Sequence, residues 1–135
     1  AGGAEGILAL CDEHPNRLDE GNLAAALRGV AASSGGRRLF QDPRFCGLLG
    51  EIALKAQHFR PKTLANIAWS CAKLRVRDRP LLDALSAASS RTIQDFTPEQ
   101  LSMLAWSWAK MACTDPPLMN AIASASIAKI AAFVP

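Results

Sequence analysis

Apolar residues fall along most of this chain at intervals of three and four, the spacing that lines one side of a 3.6-residue helix. Between positions 61 and 74, Leu64, Ile67, Ala68, Cys71 and Leu74 gather within about 120° on a wheel drawn at 100° per residue, the arc that a core-facing helix buries. Lys62, Asn66, Ser70 and Lys73 recur at i, i+4, i+8 and i+11 as an opposing polar stripe. Both faces return between 98 and 111, with Leu101, Leu104, Ala105, Trp108 and Met111 on one side and Glu99, Met103, Ser107 and Lys110 in the stripe. Pro61 and Pro98 stand where a first-turn proline is harmless, since its missing N–H has no intrahelical partner. Asp78 and Asp115 are placed to cap, and Pro80 and Pro117 to start, a second helix after each. The pattern predicts helices over about 61–74, 80–94, 98–111 and 117–131, with others at about 4–13, 19–32 and 43–57.

These elements repeat every 37 residues. Segments 59–95 and 96–132 share 15 of 37 positions, where composition alone gives on the order of 4. A further copy begins at Phe133 and Pro135. Upstream, Pro43 stands 37 before Pro80, and the preceding stretch fits if four residues are inserted around Ser33-Ser34-Gly35-Gly36, a loop composition. The chain therefore divides into the end of a preceding helical unit (1–17), a degenerate repeat with a lengthened link (18–58), two repeats (59–95 and 96–132) and the start of another (133–135). Helix pairs of this length cannot bury their apolar faces alone, so units stack and share a core. The expected fold is all-α: an α-solenoid of stacked antiparallel helix pairs, about three repeats long.

Composition agrees with this and narrows the chemistry. The 135 residues are 50% hydrophobic, too apolar for a disordered chain, and 25 alanines favour helix. Cys11, Cys46, Cys71 and Cys113 are too far apart for a zinc knuckle or a small disulfide framework, and His14 and His58 have no second ligand nearby. No apolar run approaches the roughly 20 residues of a membrane span. Ala1 in place of Met points to a processed or excised piece, so the chain is expected to be a segment of a longer array, and the absence of a targeting segment says little about compartment. Asp12-Glu13 and Asp19-Glu20 are adjacent, which points their side chains apart on a helix, and Gly35-Gly36 lacks the Lys-Ser/Thr of a phosphate loop. No nucleophile has a base at a recognisable spacing, and Cys71 falls on the core face, where thiols are inert. No enzyme activity, metal or cofactor is expected.

The net charge of +3 is unevenly spread: −1 over 1–58, +4 over 59–95 and 0 over 96–132. Arg60, Lys62, Lys73, Arg75, Arg77, Arg79 and Arg91 supply the excess, three of them clustered in the link 75–79. Such a cluster can engage phosphates, or it can be a solvated loop in which Arg79 interacts with Asp78. Arg37 and Arg38 in the inserted loop are weaker candidates of the same kind. Trp69 and Trp106 lie about 20° from Lys62 and Glu99 on the wheel, at the edge of the stripe. Either they pack in the seam between successive first helices, or they leave a face open for a nucleobase.

The pattern Phe-x-Pro-x-x-Leu-x-x-x-Ala-Trp-Ser-x-Ala-Lys followed by Asp-x-Pro-Leu resembles the heptatricopeptide and octotricopeptide families of organellar RNA-binding proteins. The resemblance is good across 59–135, about 57% of the chain, and looser over 18–58, where Arg28 takes the place of the tryptophan. It implies a right-handed superhelix holding single-stranded RNA or ribosomal RNA along a concave surface lined by the first helices. It further implies work in a mitochondrion or chloroplast, in RNA processing, stability, translation or ribosome assembly. Neighbouring repeats or ribosomal proteins are the other implied partners, with neither a membrane nor a small-molecule substrate. The expected RNA-binding residues are Asn22, Lys62, Thr63, Asn66, Ser70, Lys73, Arg75, Arg77, Gln100, Ser107 and Lys110. Amides and hydroxyls would read base edges while the basic residues hold phosphates. The alternative is a tetratricopeptide-like protein-interaction scaffold, which suits the near-neutral outer segments better.

Overall fold

In a computed structural model, described for residues 3–33, 37–111 and 116–133, the chain is all-helical, with no strand among the described residues. Among the described residues seven α-helices follow one another: α1 (Gly3–Glu13), α2 (Glu20–Ala32), α3 (Pro43–Lys55), α4 (Pro61–Leu74), α5 (Arg79–Arg91), α6 (Pro98–Lys110) and α7 (Pro116–Phe133). Short side chains start several of them by satisfying backbone N–H groups that the first turn leaves without partners. Asp19 accepts from the N–H of Asn22 at 2.8 Å, Asp42 from Arg44 at 2.9 Å and Asp78 from Leu81 at 3.1 Å. Thr97 and Gln100 form a reciprocal capping box at the head of α6. Where α4 has no cap of its own, the Arg60 N–H donates to Glu20 at 2.7 Å, so the start of α4 is tied to that of α2.

The ends depart from expectation for local reasons. The helix predicted over 80–94 stops at Arg91, because Thr92 Oγ1 donates to the Ala88 carbonyl at 2.9 Å and the chain tightens into a 3-10 turn at Ile93–Asp95. The helix predicted over 43–57 likewise gives way to a 3-10 turn at Ala56–His58. Phe59 and Phe96 then follow in extended conformation and pack into the core. Phe133, in the equivalent slot, is the last residue of α7. The predicted cap Asp115, the loop residues 34–36 and the pair Val134-Pro135 lie outside the described residues.

Packing follows the repeat. Helices α2, α4 and α6 touch in succession, as do α1, α3, α5 and α7, and the two rows meet where α1 and α3 contact α2, α5 contacts α4 and α7 contacts α6. The predicted core face is buried on α4 at Leu64, Ile67, Ala68 and Cys71, and on α6 at Leu101, Leu104 and Trp108 with Met111 beside it. Polar ties cross between units at nearly one repeat period. Glu5 pairs with Arg44 at 2.7 Å, the Lys55 ammonium donates to the Leu18 carbonyl at 3.0 Å, Arg91 donates to the Gln57 carbonyl, and Lys129 donates to the Gln94 carbonyl at 3.1 Å. The guanidinium and N–H of Arg44 hold the Asp42 carboxyl below the usual carboxylate range. These surface ties fix register more than they add stability, since exposed pairs contribute on the order of 0–1 kcal/mol.

The two tryptophans of α6 should separate sharply in a denaturation experiment. Trp108 is fully buried, so Trp108→Ala is expected to cost about 3–5 kcal/mol. Trp106 is 47% exposed, so Trp106→Ala should cost only about 1 kcal/mol. Equal losses from urea unfolding would contradict this placement of α6.

Candidate functional site

The outward ridge of α4 carries Lys62, Asn66, Trp69 and Lys73, all within about 60° on the helical wheel. Lys62 and Lys73 are exposed, while Thr63, Asn66 and Trp69 are half-buried. The Lys73 ammonium lies 5.1 Å from the centre of the Trp69 ring, a cation–π contact between residues one turn apart. On α6 the matching slots hold Glu99, Met103, Trp106 and Lys110, of which Glu99, Trp106 and Lys110 are exposed.

Two expected members of this ridge are absent from it. Ser70 and Ser107 are fully buried, and each hydroxyl donates back within its own helix, to the Asn66 carbonyl at 2.9 Å and the Met103 carbonyl at 2.6 Å. They sit about 80° around the wheel from Lys62 and Glu99, far enough to turn inward, so they read nothing on the surface. Gln100 commits its amide oxygen to the Thr97 N–H at 2.9 Å, and the Asn22 side-chain amide donates to the Arg17 carbonyl, holding the preceding turn against α2. These four residues build the helices more than they offer groups to a ligand.

The basic residues sort in the same way. Arg60 pairs with Glu20 at 3.7 Å and Arg79 with Asp83 at 3.6 Å, while Arg91 reaches a backbone carbonyl. Arg79 thus finds Asp83 and not the expected Asp78, whose carboxylate is spent on its cap. Lys62, Arg75, Arg77 and Lys110 make no ion pair among the described residues. Three of them converge: Arg75, Arg77 and Lys110, with Met111, line a cleft of about 110 Å³. Arg75 is held there by its backbone, which adopts the left-handed conformation (φ 59°, ψ 42°) at the end of α4. Its N–H reaches the Ala72 carbonyl at 3.2 Å and the Val76 N–H reaches Cys71 at 2.9 Å, the two bonds of a Schellman motif, with Val76 buried behind them. A side chain in this conformation costs roughly 1–2 kcal/mol that glycine would avoid. The side chains of Arg37 and Arg38 lie outside the described residues.

Among the described residues, no three His, Cys, Asp or Glu gather as a metal-holding group, and no helix is long and apolar enough to cross a membrane. No family model, curated protein or solved structure matches the chain. The convergence of Arg75 and Arg77 with Lys110, and the openness of Trp106 against Trp69, are the features that sequence reasoning left unassembled. The repeat register held a clue, because stacked units bring the link of one beside the first helix of the next.

Burial pushes the Cys71 thiol up to about 12, with the Asp78 carboxylate adding to the shift. An unfolded chain would lose that proton from about pH 9 upward, whereas the folded chain keeps it. Stability should therefore be insensitive to this group below about pH 9 and fall as pH rises toward 12. Urea unfolding at about pH 8 and about pH 10.5 is expected to show a steeper loss in the wild type than in Cys71→Ala. Equal losses would remove the buried thiol as the cause.

Proposed function

We propose that this chain is a single-stranded RNA-binding helical-repeat module. In this reading the two rows of helices are an α-solenoid of antiparallel pairs in a right-handed superhelix, of heptatricopeptide or octotricopeptide type. The single observation that carries the proposal is the distribution of cations. Among the basic residues of 1–95 with described side chains, Arg44, Lys55, Arg60, Arg79 and Arg91 are tied to carboxylates or carbonyls. Arg17 and Arg28 make no ion pair among the described residues, and neither do Lys62, Arg75, Arg77 and Lys110. With Lys73 these last four accompany the α4 and α6 ridges that carry Trp69 and Trp106. Unpaired cations interleaved with aromatic rings suit a flexible polyanion, whose phosphates seek charge and whose bases seek flat surfaces. By the resemblance in the 37-residue pattern, the setting is a mitochondrion or chloroplast, in RNA processing, stability, translation or ribosome assembly. The module binds and does not catalyse.

A protein-interaction scaffold is the second reading, supported by exposed apolar side chains at Leu54 on α3 and at Ile127 and Ile130 on α7. A defined protein recovered after nuclease treatment, with no RNA affinity in the purified chain, would favour it.

Titration of the full chain with labelled mixed-sequence single-stranded RNA at about 50 mM and about 200 mM salt tests the leading reading. Lys62→Glu combined with Lys73→Glu is expected to weaken binding by at least about tenfold at the lower salt. Unchanged affinity in that variant would exclude the α4 ridge.

A further inference from the structure

Trp69 and Trp106 stand in one slot a repeat apart, and so do Lys73 and Lys110, yet the two pairs are arranged differently. Lys73 lies over the ring of the half-buried Trp69. Lys110 instead lines the cleft with Arg75 and Arg77, and no cation or second ring meets Trp106 among the described residues. Resting on the RNA-binding reading, we propose that Trp106 and this cleft together hold one nucleotide of a single strand, its base stacked on the indole and a backbone phosphate between Arg75, Arg77 and Lys110.

Four features support this placement. The charges come from two different units, and no carboxylate lines the cleft with them among the described residues. Their mutual repulsion persists until an anion enters, so the cleft favours a phosphate over water. Its size agrees: at about 110 Å³, against roughly 30 Å³ for a water in the liquid, it has room for a phosphate group. The base then has a flat surface close by. Trp106 is one helical turn before Lys110, about 6 Å along the axis of α6, so both parts of a nucleotide can be engaged from the same helix. The backbone is fitted to the task as well. At the end of α4, where glycine is the unstrained choice, a long cation stands rooted in a left-handed position and anchored by the buried Val76.

The test is a fluorescence-anisotropy titration of the full chain with labelled mixed-sequence single-stranded RNA at several salt concentrations. The variants are Trp106→Ala, Trp106→Phe and the triple change Arg75→Gly, Arg77→Gln and Lys110→Gln. Circular dichroism of each variant verifies helix content, and Arg75→Gly suits its backbone position. Trp106→Ala should weaken binding between about fivefold and about a hundredfold without altering the salt slope, and Trp106→Phe should retain part of the affinity. The triple variant should reduce the slope of log affinity against log salt by about 0.7, the change expected when the protein neutralises one phosphate fewer on a single strand. If the wild type binds RNA and either Trp106→Ala or the triple variant matches it in affinity and slope, the nucleotide site is overturned while the RNA reading stands. If the wild type binds no RNA, both fall, even should inorganic phosphate alone occupy the cleft.

Discussion

Burial of the shared seam between successive helix pairs is the constraint on which the rest of this structure depends. A helix of 13 or 14 residues such as α4 or α6 has one apolar stripe and cannot hide it against its own partner alone. The stripe is covered only when α2, α4 and α6 lie side by side and the second row closes the other face. The fully buried Ser70 and Ser107, each satisfied by a carbonyl of its own helix, belong to that close packing. Cross-unit ties from Glu5 to Arg44, Glu20 to Arg60 and Lys129 to Gln94 then fix the register.

Candidate functional groups are what the seam leaves outside. With inward positions committed to packing and Arg44, Lys55, Arg60, Arg91 and Lys129 tied to neighbouring units, the two ridges present Lys62, Lys73 and Trp69, then Trp106 and Lys110, with the Arg75–Arg77 link between them. The units are alike in sequence but not in use. A lysine that covers a tryptophan in one unit stands beside two arginines in the next, so a repeated scaffold presents a surface that is not itself repeated.

Much of the fold was legible because proline, aspartate and the apolar period act locally. Helix α4 begins and ends where its pattern says, and Asp78 caps as its position implies. Helix ends were harder, since Thr92 chooses between continuing α5 and bonding back to Ala88, a choice that depends on the core position of Ile93 and Phe96. The site was legible in its charges and less so in its polar readers. A wheel places Ser70 and Ser107 near the stripe, but only the neighbouring helices decide that 80° of rotation means burial. Gln100 and Asn22 look like free amides until their backbone partners are known. The Arg75–Lys110 convergence depends on how one unit stacks on the next, which the repeat period implies without fixing the side chains.

The central claim is that a single strand of RNA lies along the exposed ridges of α4 and α6. Photo-crosslinking of the chain to single-stranded RNA carrying a photoreactive uridine, followed by mass-spectrometric mapping of the modified peptides, tests it most directly. The account predicts crosslinks confined to 61–77 and 99–111, with Trp69 and Trp106 among the modified residues. Crosslinks that fall instead on α3, α5 or α7, or none above a protein of similar charge, would contradict it.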